Sequence, residues 1–197
     1  MQKGVVRATK SKDKRNGLKP SLGKFINFPI TTHGFAKMTY SENLFQVQPL
    51  IVQALQELNS VKRTYPIFLP KEAKKYKGKI GFEVGIAEGI YFNYLNSEMT
   101  EKLSKSITPR KVYHNLDFII IVTYHYNRRG KNVPLNFDYH QLRLIFNNGK
   151  IEMRLFHSKG TRRMAFDELF NTILRQINKK MNKKSMNSLI LEELKVL

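Results

Sequence analysis

The sequence has no cysteine and no tryptophan. Without cysteine there is no disulfide framework, no thiolate metal site and no thiol nucleophile, so zinc fingers and cysteine-based catalysis fall away. Long hydrophobic runs are also missing. The longest, Phe118-Ile119-Ile120-Ile121-Val122, is far short of the roughly 20 apolar residues that a membrane-spanning helix needs. No apolar stretch follows the basic N-terminus as a secretory signal would require. Acids are scarce as well, with 15 Asp and Glu against 35 Lys and Arg, a formal net charge of +20 over 197 residues. No Walker or dinucleotide-binding glycine pattern occurs. The chain therefore reads as a soluble, intracellular protein with no membrane partner, cytoplasmic or held within a nucleoprotein or virion assembly.

What is present is enough to fold. Hydrophobic residues make up 41% of the chain and aromatics 11%, which excludes wholesale disorder. The length suits one domain with a tail. Residues 1–24 hold eight bases and one acid, Asp13, and no aromatic. So few large apolar side chains cannot offset the roughly 1 to 2 kcal/mol per residue that ordering costs. Residues 1–24 are expected to be a basic flexible arm whose Lys10, Lys12, Lys14 and Arg15 order on phosphate. A solubilising tail and a targeting presequence compete with that reading, the last weakened by lysine predominance and Asp13. Residues 25–197, expected to form a single domain, still carry +13. Lysines outnumber arginines 24 to 11, a balance suited to diffuse phosphate contact more than to bidentate reading of base edges.

Apolar periodicity supplies the elements. Leu44, Val47, Ile51, Ala54, Leu55 and Leu58 predict an amphipathic helix, with Ser41 as a candidate cap and Pro49 arguing for a start as late as residue 48. Ile80, Phe82, Val84 and Ile86 alternate as one face of a half-buried strand, with Ile90 to Leu95 as its partner across a turn at Glu88-Gly89. Ser97 to Ser106 reads as a short polar helix or loop. Leu116 to Tyr126 is apolar on both faces, as a central strand is. Asn148-Gly149 predicts a two-residue hairpin turn, which fixes register and places His140 opposite His157 and Arg143 opposite Arg154. A long helix follows on Phe166, Leu169, Phe170, Ile173, Leu174, Ile177 and Met181. A last helix is expected after Ser185, on Met186, Leu189, Ile190, Leu194 and Leu197. The class is α+β, a mostly antiparallel sheet packed against amphipathic helices.

The chemistry-bearing residues point to anion binding and away from catalysis. Arg143 facing Arg154 is unfavourable across a ladder unless the two diverge into water, find Glu152, or straddle a phosphate. The segment His157-Ser158-Lys159-Gly160-Thr161-Arg162-Arg163 precedes a helix, so its free N–H groups with Lys159, Arg162 and Arg163 make a chemically reasonable anion site. Lys74, Lys75 and Lys77 sit in a basic run relieved by Glu72 alone, and Arg128 and Arg129 follow an aromatic stretch, Tyr124-His125-Tyr126, that offers either stacking or core packing. Two-metal nuclease chemistry wants converging acids. Asp138 and Glu152 are the nearest pair, but the hairpin register puts them on opposite faces. The five histidines show no metalloprotease or relaxase spacing. The expectation is a non-enzymatic protein without metal or cofactor that binds DNA or RNA through the phosphate backbone with little sequence preference. A homo-oligomer or a subunit of a large assembly is the alternative, and a metal-dependent nuclease the third reading.

Overall fold

The computed structural model describes residues 21–69 and 74–197. In chain order the elements are β1 (Gly34–Thr39), α1 (Leu44–Leu58), β2 (Lys62–Leu69), β3 (Lys74–Glu88), β4 (Tyr91–Tyr94), α2 (Ser97–Ser106), β5 (Asn115–Arg128), β6 (Lys131–Pro134), β7 (Asp138–Asn147), β8 (Lys150–Lys159), α3 (Phe166–Asn182) and β9 (Ile190–Val196). The strands form one nine-stranded sheet in the order β2-β3-β5-β7-β8-β1-β9, with β4 added to β3 and β6 to β5. Every strand pair is antiparallel. The architecture fits the α+β class.

Alternation decides which face is covered. Phe118, Ile120, Val122 and Tyr124 of β5, Leu142, Leu144 and Phe146 of β7, and Ile151, Met153 and Leu155 of β8 are buried on one face. The stripes of α1 and α3 join them in a single core. The opposite face is open except where residues 21–28 cross it. There Gly23 donates its N–H to the Ala87 carbonyl and accepts from the Asp117 N–H, and Ile26 donates to Gly89. Ser21 to Lys24, assigned by the sequence to the arm, therefore contain backbone bonds to the sheet. Residues 1–20, with Lys10, Lys12, Lys14 and Arg15, lie outside the described residues.

The Asn148-Gly149 hairpin has the expected register, Phe146 opposite Ile151, Leu142 opposite Leu155 and His140 opposite His157. Two expectations need correction. The helix expected after Ser185 is instead the edge strand β9, paired with β1. Leu191 faces Met38 and Leu194 faces Ala36, three residues on β9 against two on β1, so a bulge lets an i, i+3 pair share one strand face and imitate a helical stripe. The first helix starts at Leu44, with Asn43 and not Ser41 at the N-cap position and no side-chain capping bond there, and Pro49 lies inside it. Complete burial of Val47 and a two-way bond of Gln48 with the Tyr113 backbone (2.6 and 3.0 Å) hold the first turn and a half, which offsets the one bond that proline cannot make. Among the described residues no helix is long and apolar enough to cross a membrane.

Candidate polyanion-binding surface

Hairpin geometry gathers the cations. In the β2–β3 hairpin Thr64 faces Lys79 and Pro66 faces Lys77, while Arg63, Tyr65 and Ile67 point to the helices. Arg63 donates to the Thr172 hydroxyl at 2.9 Å and Tyr65 to the Glu168 carboxylate. The outward members of the pair, Lys62, Lys77 and Lys79, are exposed. Lys74 and Lys75 lie opposite Leu69 and Phe68 at the tip of the same hairpin. In the β5–β6 hairpin Arg128 pairs with Lys131 across a two-residue turn, Arg129-Gly130, whose φ angles of 50° and 80° suit a type I′ turn. The side-chain oxygen of Asn127 accepts the Gly130 N–H at 2.9 Å and braces that turn.

Nonlocal pairing brings the two hairpins to one place. Gly78 of β3 lies opposite Tyr126 of β5 and Lys79 opposite His125, so the start of β3 and the end of β5 share one end of the sheet. Lys159, opposite Tyr139 at the end of β8, belongs to the same end. Lys77, Lys79, Arg129, Lys131 and Lys159 are exposed and make no ion pair among the described residues. Arg162 is exposed too, its guanidinium 5.0 Å from the Phe166 ring centroid.

The loop after β8 already holds an anion, and it is the protein's own. Asp138, fully buried, accepts from the Arg162 N–H (2.7 Å), the Arg163 N–H (2.8 Å) and the Tyr124 hydroxyl (2.6 Å). The N–H groups expected to cradle an external phosphate are therefore occupied, and the anion-binding role of this loop is left to its side chains. Burial pushes the Asp138 carboxyl up, but the Tyr124 and backbone hydrogen bonds outweigh it and hold the carboxyl below its ordinary range. Burial first, and then Asp138, pushes the Tyr124 phenol up. Gly160, at φ 118°, packs so closely on Asp138 and the Phe137 carbonyl that a side chain there would collide with both.

Beside Asp138 lies a dry imidazole pair. The His140 and His157 ring centroids are 5.1 Å apart. His140 is fully buried with no partner for either ring nitrogen, and His157 Nε2 is 3.6 Å from Asp138 Oδ1. Burial, then the nearby His157, lowers the His140 pKa to about 4. His140 belongs to the core. Among the described residues no three His, Asp or Glu side chains come together to hold a metal ion.

Arg143 and Arg154 do face each other, but each finds an acid. Arg143 grips the fully buried Asp117 through Nε and an Nη, both at 2.7 Å, and lies 4.1 Å from the Phe28 ring centroid. Asp117 also accepts the Phe25 N–H at 2.8 Å. Arg154 pairs with Glu152 at 2.5 Å. The expected alternative of divergence or Glu152 describes Arg154; for Arg143 the partner is Asp117, across β5 and β7, which the hairpin alone does not reveal. Of the residues expected to contact phosphate, the sheet brings Lys74, Lys75, Lys77, Arg128, Arg129, Lys159, Arg162 and the half-buried Arg163 to one end and sets Arg143 and Arg154 apart. Lys131 and Phe137 were missed. The signal for Lys131 was Arg129-Gly130 after the alternating Tyr124 and Tyr126, a weak Asn-Gly-like turn. Phe137 carried none.

No family model, curated protein or solved structure matches the chain.

Proposed function

We propose that the protein binds nucleic acid through its phosphate backbone, with no chemical step, using the end of the sheet built by β2, β3, β5 and β6 and the corner after β8. One observation carries this reading. Among the described residues Lys77, Lys79, Arg129, Lys131 and Lys159, from three separated stretches of chain, lie exposed toward one end and make no ion pair, whereas Arg143, Arg154, Lys37 and Lys150 elsewhere in the same sheet each have an acid. Concentrated like charge costs stability unless anions relieve it, and a polyphosphate does so while releasing its condensed counterions. Lysine predominance favours backbone contact over base reading, so affinity should vary little with sequence.

Anisotropy of a labelled oligonucleotide over a salt series tests this. Neutralising about six phosphates predicts log K falling against log salt with a slope near −5. Lys77→Glu together with Lys131→Glu should lower affinity at least about tenfold and flatten the slope by roughly 2. A slope near zero, or charge reversal without effect, removes the proposal.

A further inference from the structure

The basic end is not purely basic. Phe137, in the link between β6 and β7, is 46% exposed. Its carbonyl packs against Gly160, and the next residue is the buried Asp138, tied by three hydrogen bonds to β5 and to the loop before α3. An exposed ring on so constrained a backbone loses little conformational freedom when it stacks. The half-buried Tyr139 follows on the open face of β7, opposite the exposed Lys159. On β5 the half-buried His125 faces the exposed Lys79 of β3. Two cation–ring pairs thus stand on the open face toward this end, Lys79 with His125 across β3 and β5 and Lys159 with Tyr139 across β8 and β7, with Phe137 in the link beside them. Tyr124 and Tyr126, for which the sequence offered either stacking or core packing, are core residues, 0% and 6% exposed.

A duplex keeps its base faces stacked, so a ring reaches them only after a step is unstacked, at a cost of a few kcal/mol. A single strand offers both bases and phosphates, and every base has a face that stacks on an aromatic ring whatever its sequence. The need for cations is common to both polymers. The ring distinguishes them.

We infer that the preferred ligand is single-stranded nucleic acid, with a base stacked on Phe137 and the flanking phosphates held by Lys79, Arg129, Lys131 and Lys159. This rests on the polyanion reading above and narrows it.

The absence of tryptophan makes the test clean, because Phe137→Trp places the chain's one indole at the proposed stacking position. Oligo(dT), oligo(U) and a duplex of equal length are titrated into the full chain, its Phe137→Ala variant and its Phe137→Trp variant at one salt concentration. Phe137 is on the surface, so both variants should fold, which their circular dichroism and melting checks. The expected result has four parts: the single strands bind more tightly than the duplex; Phe137→Ala weakens single-strand binding about tenfold; duplex binding stays within about twofold; and indole emission is quenched by the single strands. Comparable quenching and affinity with oligo(dT) and oligo(U) marks the ligand as either polymer, and preference for one identifies it. Equal affinity for single strand and duplex, with Phe137→Ala silent, overturns the single-strand inference and leaves the backbone-binding reading standing. Failure of all three oligonucleotides to bind even at low salt overturns that reading itself.

Discussion

The open face of the sheet has two halves that use the same residue types differently. On the β7-β8-β1-β9 half, four bases find acids: Arg143 with Asp117 and Lys37 with Glu193 across a ladder, Lys150 with Glu192 two strands away, and Arg154 with Glu152 on its own strand. On the β2-β3-β5-β6 half, Lys77, Lys79, Arg129 and Lys131 stand without such partners among the described residues. Net charge does not separate the halves, because a neutralised arginine counts in it as fully as a bare lysine. Which bases are structural and which are available depends on strand neighbours, and those come from chain segments far apart.

The largest effect should come from breaking the paired half at the fully buried Asp117. Asp117→Ala leaves the partly buried Arg143 guanidinium and the Phe25 N–H without their acceptor, so chemical denaturation should show a loss of about 3 to 5 kcal/mol. A loss below about 1 kcal/mol would mean that this half is not held by its ion pairs.

Acid should act next, at the seam between the halves. The groups facing His140 are His157, Asp138, Arg162 and His33. Its pKa in the fold, about 4, lies below the ordinary 6.5, so the unfolded chain takes up the proton first as pH falls. This contribution to stability is complete above about pH 6.5 and is lost, by up to about 3 kcal/mol, between there and about pH 4. Denaturation midpoints measured down that range should show the loss in the parent and much less in His140→Phe. Because neither ring nitrogen has a hydrogen bond to lose, the same variant should cost little at pH 7.5.

The smallest effect sharpens the comparison most. Arg154→Ala or Lys150→Ala removes a base as formally positive as Lys77, yet each belongs to a partly exposed pair worth at most about 1 kcal/mol. Oligonucleotide affinity should stay within about twofold, whereas the Lys77 and Lys131 reversals lower it. Equal losses on both halves would erase the distinction and return the protein to uniform, nonspecific cationic attraction.

Much of the framework was legible where the signal is local. Asn148-Gly149 needs positive φ angles and so sets a hairpin whose register follows residue by residue. The stripe from Phe166 to Met181 has one period and made one helix. Legibility failed where one pattern serves two structures. Leu191 and Leu194 at helical spacing also suit a bulged edge strand, and only the bare flank of β1 chose between them. β2 was hidden because Lys62 and Arg63 drew the reading toward charge and away from alternation.

For the site, the sequence by itself determined the surplus of positive charge, its lysine bias and the absence of thiol chemistry, because these are sums over residues and need no geometry. Tertiary structure alone decided which of those charges matter. Strand pairing joins positions as far apart as Lys77, Lys131 and Lys159, and it sends Asp117 to Arg143 and Asp138 to the loop that had seemed open to an outside anion. An acid one strand away cancels a base more completely than several acids nearby in sequence, because Coulomb attraction depends on distance in space and on the low dielectric of a covered sheet.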